Sequence, residues 1–246
     1  PASLQMIEES IVIFREIGDA MGLNHALRRL AQMMLETRDY ARARALLEEA
    51  LVGAREAGDR NALGQAHLTI GDIEWQQAGN FAQAMRMYEV GLALFQEQGN
   101  RLGMNYALGR MGEAMHLSDH PAEAQYYCQQ AMALVRDFAP TSNTFNFLLA
   151  GIGSTSAALG DLERAARLFG GVSLLVDYKE HHEHPLDVRI NADIQMLHET
   201  LGKTAFNAAW EAGRAMTREQ LMTYTLQAPG SRLPNAATEA PLPATP

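Results

Sequence analysis

An all-α fold made of stacked helical hairpins is the fold class that this 246-residue sequence predicts. The first observation is an internal repeat of about 40 residues, found in four segments of the chain. The anchoring alanines of these segments, spaced 41, 40 and 41 residues apart, are Ala43, Ala84, Ala124 and Ala165. The second observation is that a bulkier residue follows each anchor by four positions and a small or β-branched residue by seven, which is the spacing of one helix face. The third is composition, because only 7% of residues are aromatic while 47% are hydrophobic and helix-favouring alanine and leucine are abundant.

Each repeat unit is predicted to contain two helices joined by a short turn. The bulkier residues of the second helices are Leu47, Tyr88, Cys128 and Phe169, and the small ones are Ala50, Gly91, Ala131 and Val172. Twelve positions before the anchors, inside a preceding apolar-periodic helix, lie Ala31, Asp72, Gly112 and Gly153. The intervening segments RDY, GNF, DHP and GDL carry the glycine, asparagine, aspartate and proline that favour turns. The pattern therefore predicts four antiparallel helical hairpins.

The first helix of the chain has the pattern of a second helix without its partner. Ser3, Ile7 and Ser10 have the spacing of an anchor stripe 40 residues before the first full unit. Because stacked repeats are built from complete hairpins, we expect the sequence to be a piece cut within a repeat from a longer protein, rather than one altered by processing or by a tag.

The other end of the chain shows a degenerate fifth repeat. Phe206, Trp210 and Gly213 continue the anchor pattern, so residues 186–201 and 203–215 are expected to form a fifth hairpin. The sequence T-R-E-Q that begins at Thr217 is a capping box and predicts a last helix that ends near Leu226 and caps the array. Residues 228–246 are rich in proline and lack apolar periodicity, which predicts a linker or a tail.

The spacing of these units resembles that of the tetratricopeptide repeat family. In that family a small residue is followed after twelve positions by alanine, then four later by an aromatic residue and three later by alanine. The period of 40–41 residues is longer than the usual ~34, and the aromatic position is weak in two units. The resemblance covers roughly residues 1–215 and implies a right-handed solenoid of antiparallel hairpins over residues 1–227. It also implies that the first helices line a concave groove.

A second resemblance concerns the phrases LLEEALVGAREAGDR, GLALFQEQGNRLG and ERAARLFGGVSLL together with the ending TLGKTAFNAAWEAGRAMTREQLMTYTL. They are similar to the repeat arms of multidomain bacterial regulators linked to an NTPase domain, including transcriptional activators of the LuxR and AfsR type. This resemblance implies an arm that follows a nucleotide-binding switch domain. Such an arm serves as an inducer sensor or as a platform for partners and neighbouring domains.

Candidate binding residues follow from the groove-facing positions of the tetratricopeptide repeat. They are His25, Arg28, Gln32, Glu36, Thr69, Gln76, Tyr106, Arg110, Glu113, His116, Phe147 and Ser154. This lining is mixed polar and aromatic, so the resemblance implies a peptide, a protein or a small inducer as ligand. Arg28 and Arg110 are suited to an acidic group. The alternative for each of these residues is a solvated surface position without a ligand.

Composition excludes several classes of function. The net charge of −9 argues against direct nucleic-acid binding. No run of 18 apolar residues and no secretory signal occur, and the single cysteine fits a reducing compartment, so we expect a cytoplasmic protein without membrane contact. The phosphate-binding motif G-x-x-x-x-G-K-[ST], the hydrolase motif G-x-S-x-G and the zinc motif H-E-x-x-H are absent from the sequence. We therefore expect no enzymatic activity and no cofactor.

Two alternatives remain open. The chain could be a self-associating adaptor whose first helix docks on a second copy, and charges at Ile7 and Ile11 would then break a homodimer. The segment KEHHEHP, with His181, His182 and His184, offers imidazole ligands for a metal ion. These histidines are too close together to form a complete set of ligands, and the alternative is a solvated loop between helices. The leading hypothesis is a non-enzymatic binding module, namely the sensor or scaffold arm of a bacterial regulator.

Overall fold

The computed structural model describes residues 2–135, 142–173 and 185–227, and in these ranges every regular element is an α-helix. The helices are α1 Ala2–Ile17, α2 Ala20–Glu36, α3 Tyr40–Glu56, α4 Arg60–Ala78, α5 Phe81–Glu97, α6 Arg101–Leu117, α7 Pro121–Val135, α8 Ser142–Ala158, α9 Leu162–Ser173, α10 Pro185–Arg214 and α11 Arg218–Leu226. The predicted fold class, an all-α chain of repeated helical hairpins, is confirmed. First helices are α2, α4, α6 and α8, and second helices are α3, α5, α7 and α9.

The chain divides into two compact units. Unit 1 extends from Pro1 to Ala114 and contains α1 to α5 with most of α6, while unit 2 extends from Met115 to Pro246. Each unit is described by itself below. The predicted tail at 228–246 and the histidine segment at 181–184 lie outside the described residues.

The turns lie where the repeat places them. The residue five positions before each anchoring alanine has a left-handed backbone, with φ of 60° at Arg38, 62° at Gly79, 61° at Asp119 and 85° at Gly160. This conformation reverses the chain after a helix and suits glycine, since a Cβ atom clashes with the following carbonyl group. Arg38 and Asp119 are therefore strained positions of otherwise regular hairpins.

We expect Arg38→Gly to raise the free energy of unfolding by about 0.5–1 kcal/mol. The Cβ clash of a left-handed residue costs about 1–2 kcal/mol, and the extra freedom of glycine in the unfolded chain offsets part of the gain. Urea unfolding at 25 °C checks the value. Arg38→Ala is the matched control, because it removes the exposed side chain but keeps Cβ. Equal stabilities of the two variants would contradict the explanation.

Aromatic side chains of α5 pack into glycine positions of the neighbouring first helices. Tyr88 and Phe95 are fully buried. A Cβ atom built on Gly71 would lie 2.5 Å from Cε1 of Tyr88, and one on Gly103 would lie 2.4 Å from Cδ1 of Phe95. The Phe95 ring also contacts Gly64, where a Cβ atom would lie 2.8 Å from Cε1. The small residues of the repeat therefore allow the helices of unit 1 to approach closely.

Unit 2 contains the predicted fifth repeat in a modified form. Gly202, with φ 72° and ψ 159°, divides α10 into two helical segments. The segment after this break packs directly on the backbone of α9. A Cβ atom on Gly213 would lie 1.8 Å from the carbonyl oxygen of Arg167, and one on Gly170 would lie 2.1 Å from that of Trp210. Two glycines therefore permit contact between two helix backbones.

The predicted last helix is confirmed as α11. Its capping box pairs the Thr217 side chain with the Gln220 backbone and the Gln220 side chain with the Thr217 backbone. Arg164 of α9 donates from Nη2 to the carbonyl oxygens of Tyr224 at 2.8 Å and Thr225 at 3.2 Å. Its guanidinium group also lies over the Tyr224 ring, 4.6 Å from the centroid. The last four carbonyl groups of a helix have no hydrogen-bond partner within the helix. The buried Arg164 therefore supplies hydrogen bonds to two such carbonyl groups at the end of α11.

Candidate partner-binding site

The predicted groove residues differ widely in exposure. The exposed ones are His25, Gln32, Glu36 and Tyr106; the half-buried ones are Arg28, Thr69, Gln76, Arg110 and Phe147; the buried ones are Glu113, His116 and Ser154. Tyr106 is an aromatic residue with 49% of its surface exposed, which is unusual for a large side chain in a packed helix. The four exposed residues, all on the first helices α2 and α6 of unit 1, are those that a partner can contact without rearrangement of the chain.

Arg28 joins the first helices α2 and α4. Its Nε donates to Oδ1 of Asn24 at 3.0 Å, and its Nη1 donates to Oε1 of Gln65 on α4. Asn24 in turn is buried and donates from Nδ2 to the carbonyl oxygen of Ala50 at 2.6 Å. Burial lowers the pKa of Arg28 from its ordinary value, and the charge of Asp59 opposes this effect. Since the guanidinium group already has protein partners, Arg28 fixes the relative position of two first helices.

Arg110 joins the first helices α4 and α6. Its Nη1 donates to Oε2 of Glu113 at 3.0 Å, and its Nε lies 3.6 Å from Oδ1 of Asp72. The same Asp72 oxygen accepts a hydrogen bond from the Tyr88 hydroxyl at 2.8 Å. The Asp72 carboxylate raises the pKa of Arg110, and burial followed by the Asp72 charge raises that of Tyr88 well above its ordinary value. Glu113 and Arg110 thus belong to a polar network inside unit 1 that also includes Asp72 and Tyr88.

Ser154 joins α8 to α10 in unit 2. The serine is fully buried, and its hydroxyl donates to Oδ2 of Asp193. Burial raises the pKa of Asp193, while the Ser154 hydrogen bond and the Arg189 charge oppose that shift. Polar pairs thus connect α2 with α4, α4 with α6 and α8 with α10. Ser154 contributes to the last of these connections rather than to an open surface.

His116 is the buried imidazole of unit 2. Only 2% of the residue is exposed, and in the described part of the chain neither Nδ1 nor Nε2 has a hydrogen-bond partner. Burial, and then the positive charge of Arg189, lower its pKa from 6.5 to about 4, although the charge of Asp119 acts in the opposite direction. Arg189 itself reaches Asp119 through both Nη atoms at 3.2 Å. His116 is therefore neutral at pH 7 and destabilises unit 2 when it is protonated.

The sequence did not identify several partners of these residues. Gln65 on α4 and Asp193 on α10 were not predicted, although both form hydrogen bonds with predicted residues. One signal was available for Asp72, because a carboxylate stands there at a position where the other units carry alanine or glycine. A charge at a small-residue position needs a partner, and in the structure Arg110 and Tyr88 supply it.

Other kinds of site find no support in the described residues. In the ranges that the structure describes, no group of three or more His, Cys, Asp or Glu side chains is arranged to hold a metal ion. Cys128 is buried, with 4% of its surface exposed, as expected for an apolar position of a second helix. Within the same ranges, no helix combines the length and the apolar character that crossing a bilayer requires.

Comparison with known proteins agrees with this geometry. Residues 3–97 match the tetratricopeptide repeat family. The matched residues include α2 to α5 and therefore two complete hairpins of unit 1. The crystal structure of BtubC (BKLC) from P. vanneervenii is similar to 99% of this chain over 97% of its own length, with 16% sequence identity and a TM-score of 0.61. No curated protein sequence matches the chain.

These findings show the helical repeat fold. At 16% identity, the solved structure supports the helical repeat architecture and carries no information on ligands. Tetratricopeptide repeats are in general non-catalytic modules that mediate protein–protein binding. The matched region thus supports a protein-interaction or scaffold role for the chain.

Proposed function

We propose that the chain is a non-enzymatic binding module whose unit 1 carries the partner-binding face. The observation that supports this proposal most directly is the exposure of His25, Gln32 and Tyr106 on first helices that polar networks hold in place. An exposed aromatic residue on a rigid frame is a common anchor for a partner, because little side-chain entropy is lost on binding. By resemblance to the repeat family, these residues line the concave groove together with Glu36 and Thr69.

The larger context that we propose is the sensor or scaffold arm of a bacterial signalling or transcriptional regulator in the cytoplasm. Two observations support it: several sequence segments resemble the repeat arms of LuxR- and AfsR-type proteins, and the sequence lacks the catalytic motifs named above. In this context the groove would bind a peptide, a protein or a small inducer, and binding would change how the arm contacts neighbouring domains of the parent chain. The net charge of −9 supports a role without direct nucleic-acid contact.

The experiment for the groove uses exposed residues only. We expect the triple variant His25→Ala, Gln32→Ala, Tyr106→Ala to lose the partners that the wild-type chain captures, at an unchanged melting temperature. Each exposed side chain contributes to contact with a partner and little to folding. Capture from extract, followed by quantitative mass spectrometry, measures the loss. A variant set that includes Glu113 or His116 is unsuitable, because both residues are buried and their substitution would perturb folding.

A matched control separates the groove from the remaining surface. Val52 on α3 and Val90 on α5 are exposed apolar residues of second helices, with exposures of 51% and 40%. We expect Val52→Ala, Val90→Ala to retain every partner. If the groove variant keeps its partners, or if the control loses the same ones, the assignment of the binding face to the first helices is wrong.

Self-association through α1 is a second candidate function, and one observation favours it. The helix exposes large apolar side chains, including Met6 at 65% and Ile17 at 67%. The residues predicted for a dimer contact, Ile7 and Ile11, lie instead on the side that packs into the core of unit 1. Tests of self-association therefore need substitutions on the exposed side. A metal function at 181–184 falls outside the described residues.

A further inference from the structure

The middle first helix of unit 1, α4, carries two amide side chains one helical turn apart. Asn61 and Gln65 are separated by four residues, so their side chains lie on the same side of the helix. Asn61 is half-buried and Gln65 is exposed. We call these two residues the amide pair. Hydrogen bonds within unit 1 determine which atom of each amide is already engaged.

The orientation of the Asn61 amide follows from the cap of α6. Oδ1 of Asn100 accepts a hydrogen bond from the backbone nitrogen of Gly103 at 2.9 Å. Nδ2 of Asn100 then donates to Oδ1 of Asn61 at 2.8 Å. Because the Asn61 oxygen is the acceptor, its Nδ2 group is left with N–H donors, and within the described ranges these donors have no acceptor.

A second chain of hydrogen bonds orients Gln65. Asn24 donates from Nδ2 to the carbonyl oxygen of Ala50, so its Oδ1 accepts from Nε of Arg28. A guanidinium group can only donate, so its contact with Gln65 identifies Oε1 as the acceptor there. Nε2 of Gln65 remains a donor, without an acceptor among the described residues. Both amides are thus held in place before a ligand binds, which lowers the entropy lost on binding.

Large apolar side chains lie on both sides of the amide pair. The first helices of unit 1 begin after capping side chains at positions 19, 59 and 100. Counted from these caps, the residues of α2 and α6 that correspond to the amide pair are Met21, His25, Leu102 and Tyr106. All four are exposed, Met21 by 76% and Leu102 by 48%. A pair of donors on α4 is therefore flanked by two helices that expose apolar surface.

The spacing of the amide pair fits the backbone of an extended peptide. Residues four apart in an α-helix are separated by about 6 Å along the axis. In an extended peptide, carbonyl groups two residues apart point to the same side and are separated by about 6.6–6.8 Å. An α-helix cannot supply these acceptors, since its carbonyl groups are bonded within the helix, and the two oxygens of one carboxylate are too close together to reach both amides.

We propose that Asn61 and Gln65 donate hydrogen bonds to two backbone carbonyl oxygens, two residues apart, of an extended peptide segment of a partner protein. Side chains of such a segment stand at right angles to its carbonyl groups and alternate in direction, so they point in turn toward α2 and toward α6. The segment therefore carries at least two consecutive apolar residues. This inference rests on the proposed function, because it concerns the same face of unit 1, and it adds the conformation of the partner and the residues that recognise its backbone.

The test uses the full chain and a synthetic library of random octapeptides, acetylated and amidated so that terminal charges play no part. Affinity selection with mass spectrometry identifies binders, and fluorescence anisotropy measures their Kd. We expect binders with two consecutive apolar residues. An ester in place of a peptide bond has a carbonyl oxygen that is a weaker acceptor. Such replacement should weaken binding about two- to tenfold at two positions that are two residues apart, and not at the position between them.

Asn61→Asp and Gln65→Glu test the donors while keeping the shape of each side chain. Both variants retain the oxygen that accepts from Asn100 or Arg28, so the melting temperature should not fall, and an acid in the first turn of α4 is favourable. Each should weaken peptide binding at least tenfold, because a negatively charged oxygen replaces the donor opposite a carbonyl group. Gln77→Glu makes the same change at an exposed residue on another side of α4 and should leave binding unchanged.

Several outcomes overturn this inference: full peptide binding by both amide variants, an equal loss in Gln77→Glu, an ester scan without the two-residue spacing, or the absence of any selected peptide. The proposed function has a separate outcome. If the triple variant at His25, Gln32 and Tyr106 loses its partners or the selected peptides while the amide variants keep them, the groove assignment stands and the amide pair falls. If the triple variant keeps every partner captured from extract, the groove assignment falls, whatever the amide variants do.

Discussion

Gly213→Ala should lower the free energy of unfolding of unit 2 by about 3 kcal/mol or more. The new methyl group would lie 1.8 Å from the carbonyl oxygen of Arg167, and the obstacle is backbone, which cannot turn away as a side chain can. Overpacking in a well-packed core typically costs 1–3 kcal/mol, and a contact between two backbones lies at the upper end of that range. Gly170→Ala should act similarly, since its methyl group would meet the carbonyl oxygen of Trp210 at 2.1 Å.

The two tryptophans of the chain make this result measurable. Trp75 belongs to unit 1 and Trp210 to unit 2, so in a Trp75→Phe background the fluorescence of Trp210 reports on unit 2. Gly53→Ala is the matched control. Its methyl group would meet nothing within 4 Å, and alanine favours helix over glycine by about 0.5–1 kcal/mol, so we expect a small gain in stability. A loss of less than about 1 kcal/mol for Gly213→Ala would contradict the close backbone packing of α9 and α10.

Acidification from neutral pH to about pH 4.5 should destabilise unit 2 through His116. In the folded chain the pKa of His116 is lowered from 6.5 to about 4, chiefly by burial. The unfolded chain therefore takes up the proton first as the pH falls below 6.5, and stability decreases until the folded imidazole also titrates near pH 4. The difference between these two pKa values corresponds to about 3 kcal/mol.

The measurement is urea unfolding of unit 2, followed by Trp210 fluorescence, at several pH values between about 4.5 and 7.5. His116→Phe keeps a ring at the site but removes the titrating group, so we expect the variant to lose most of the decrease. Asp193 acts with the opposite sign, because its raised pKa makes the folded chain take up a proton more readily than the unfolded chain. Comparison of the two proteins at each pH isolates the His116 contribution. Parallel pH profiles of stability for wild type and variant would show that His116 does not cause the loss of stability at low pH.

The sequence by itself determined the repeat and its local features. The spacing of the anchoring alanines predicted the hairpins, the turn residues Arg38 and Gly79 lie where the pattern placed them, and the T-R-E-Q segment forms the capping box at Thr217. These features depend on contacts between residues that are close along the chain. Helix periodicity, turn conformation and capping are set by such contacts, so a single sequence reports them.

The tertiary structure decided which predicted groove residues a partner can reach. Glu113 pairs with Arg110 inside unit 1, and Ser154 is covered by an interaction with Asp193, which is 39 residues away. Nothing in the local pattern distinguishes these positions from Tyr106, because all belong to the same kind of first helix. Burial depends on which distant helix packs against a position and on the residue that this helix presents there.

The same reason explains which side of α1 is exposed. The sequence pattern placed a possible dimer contact of α1 at Ile7 and Ile11. Packing within unit 1 buries Ile11 and partly buries Ile7, whereas Met6, Ile13 and Ile17 remain exposed. Periodicity identifies the apolar faces of a helix, whereas only the position of its neighbours determines which face remains uncovered.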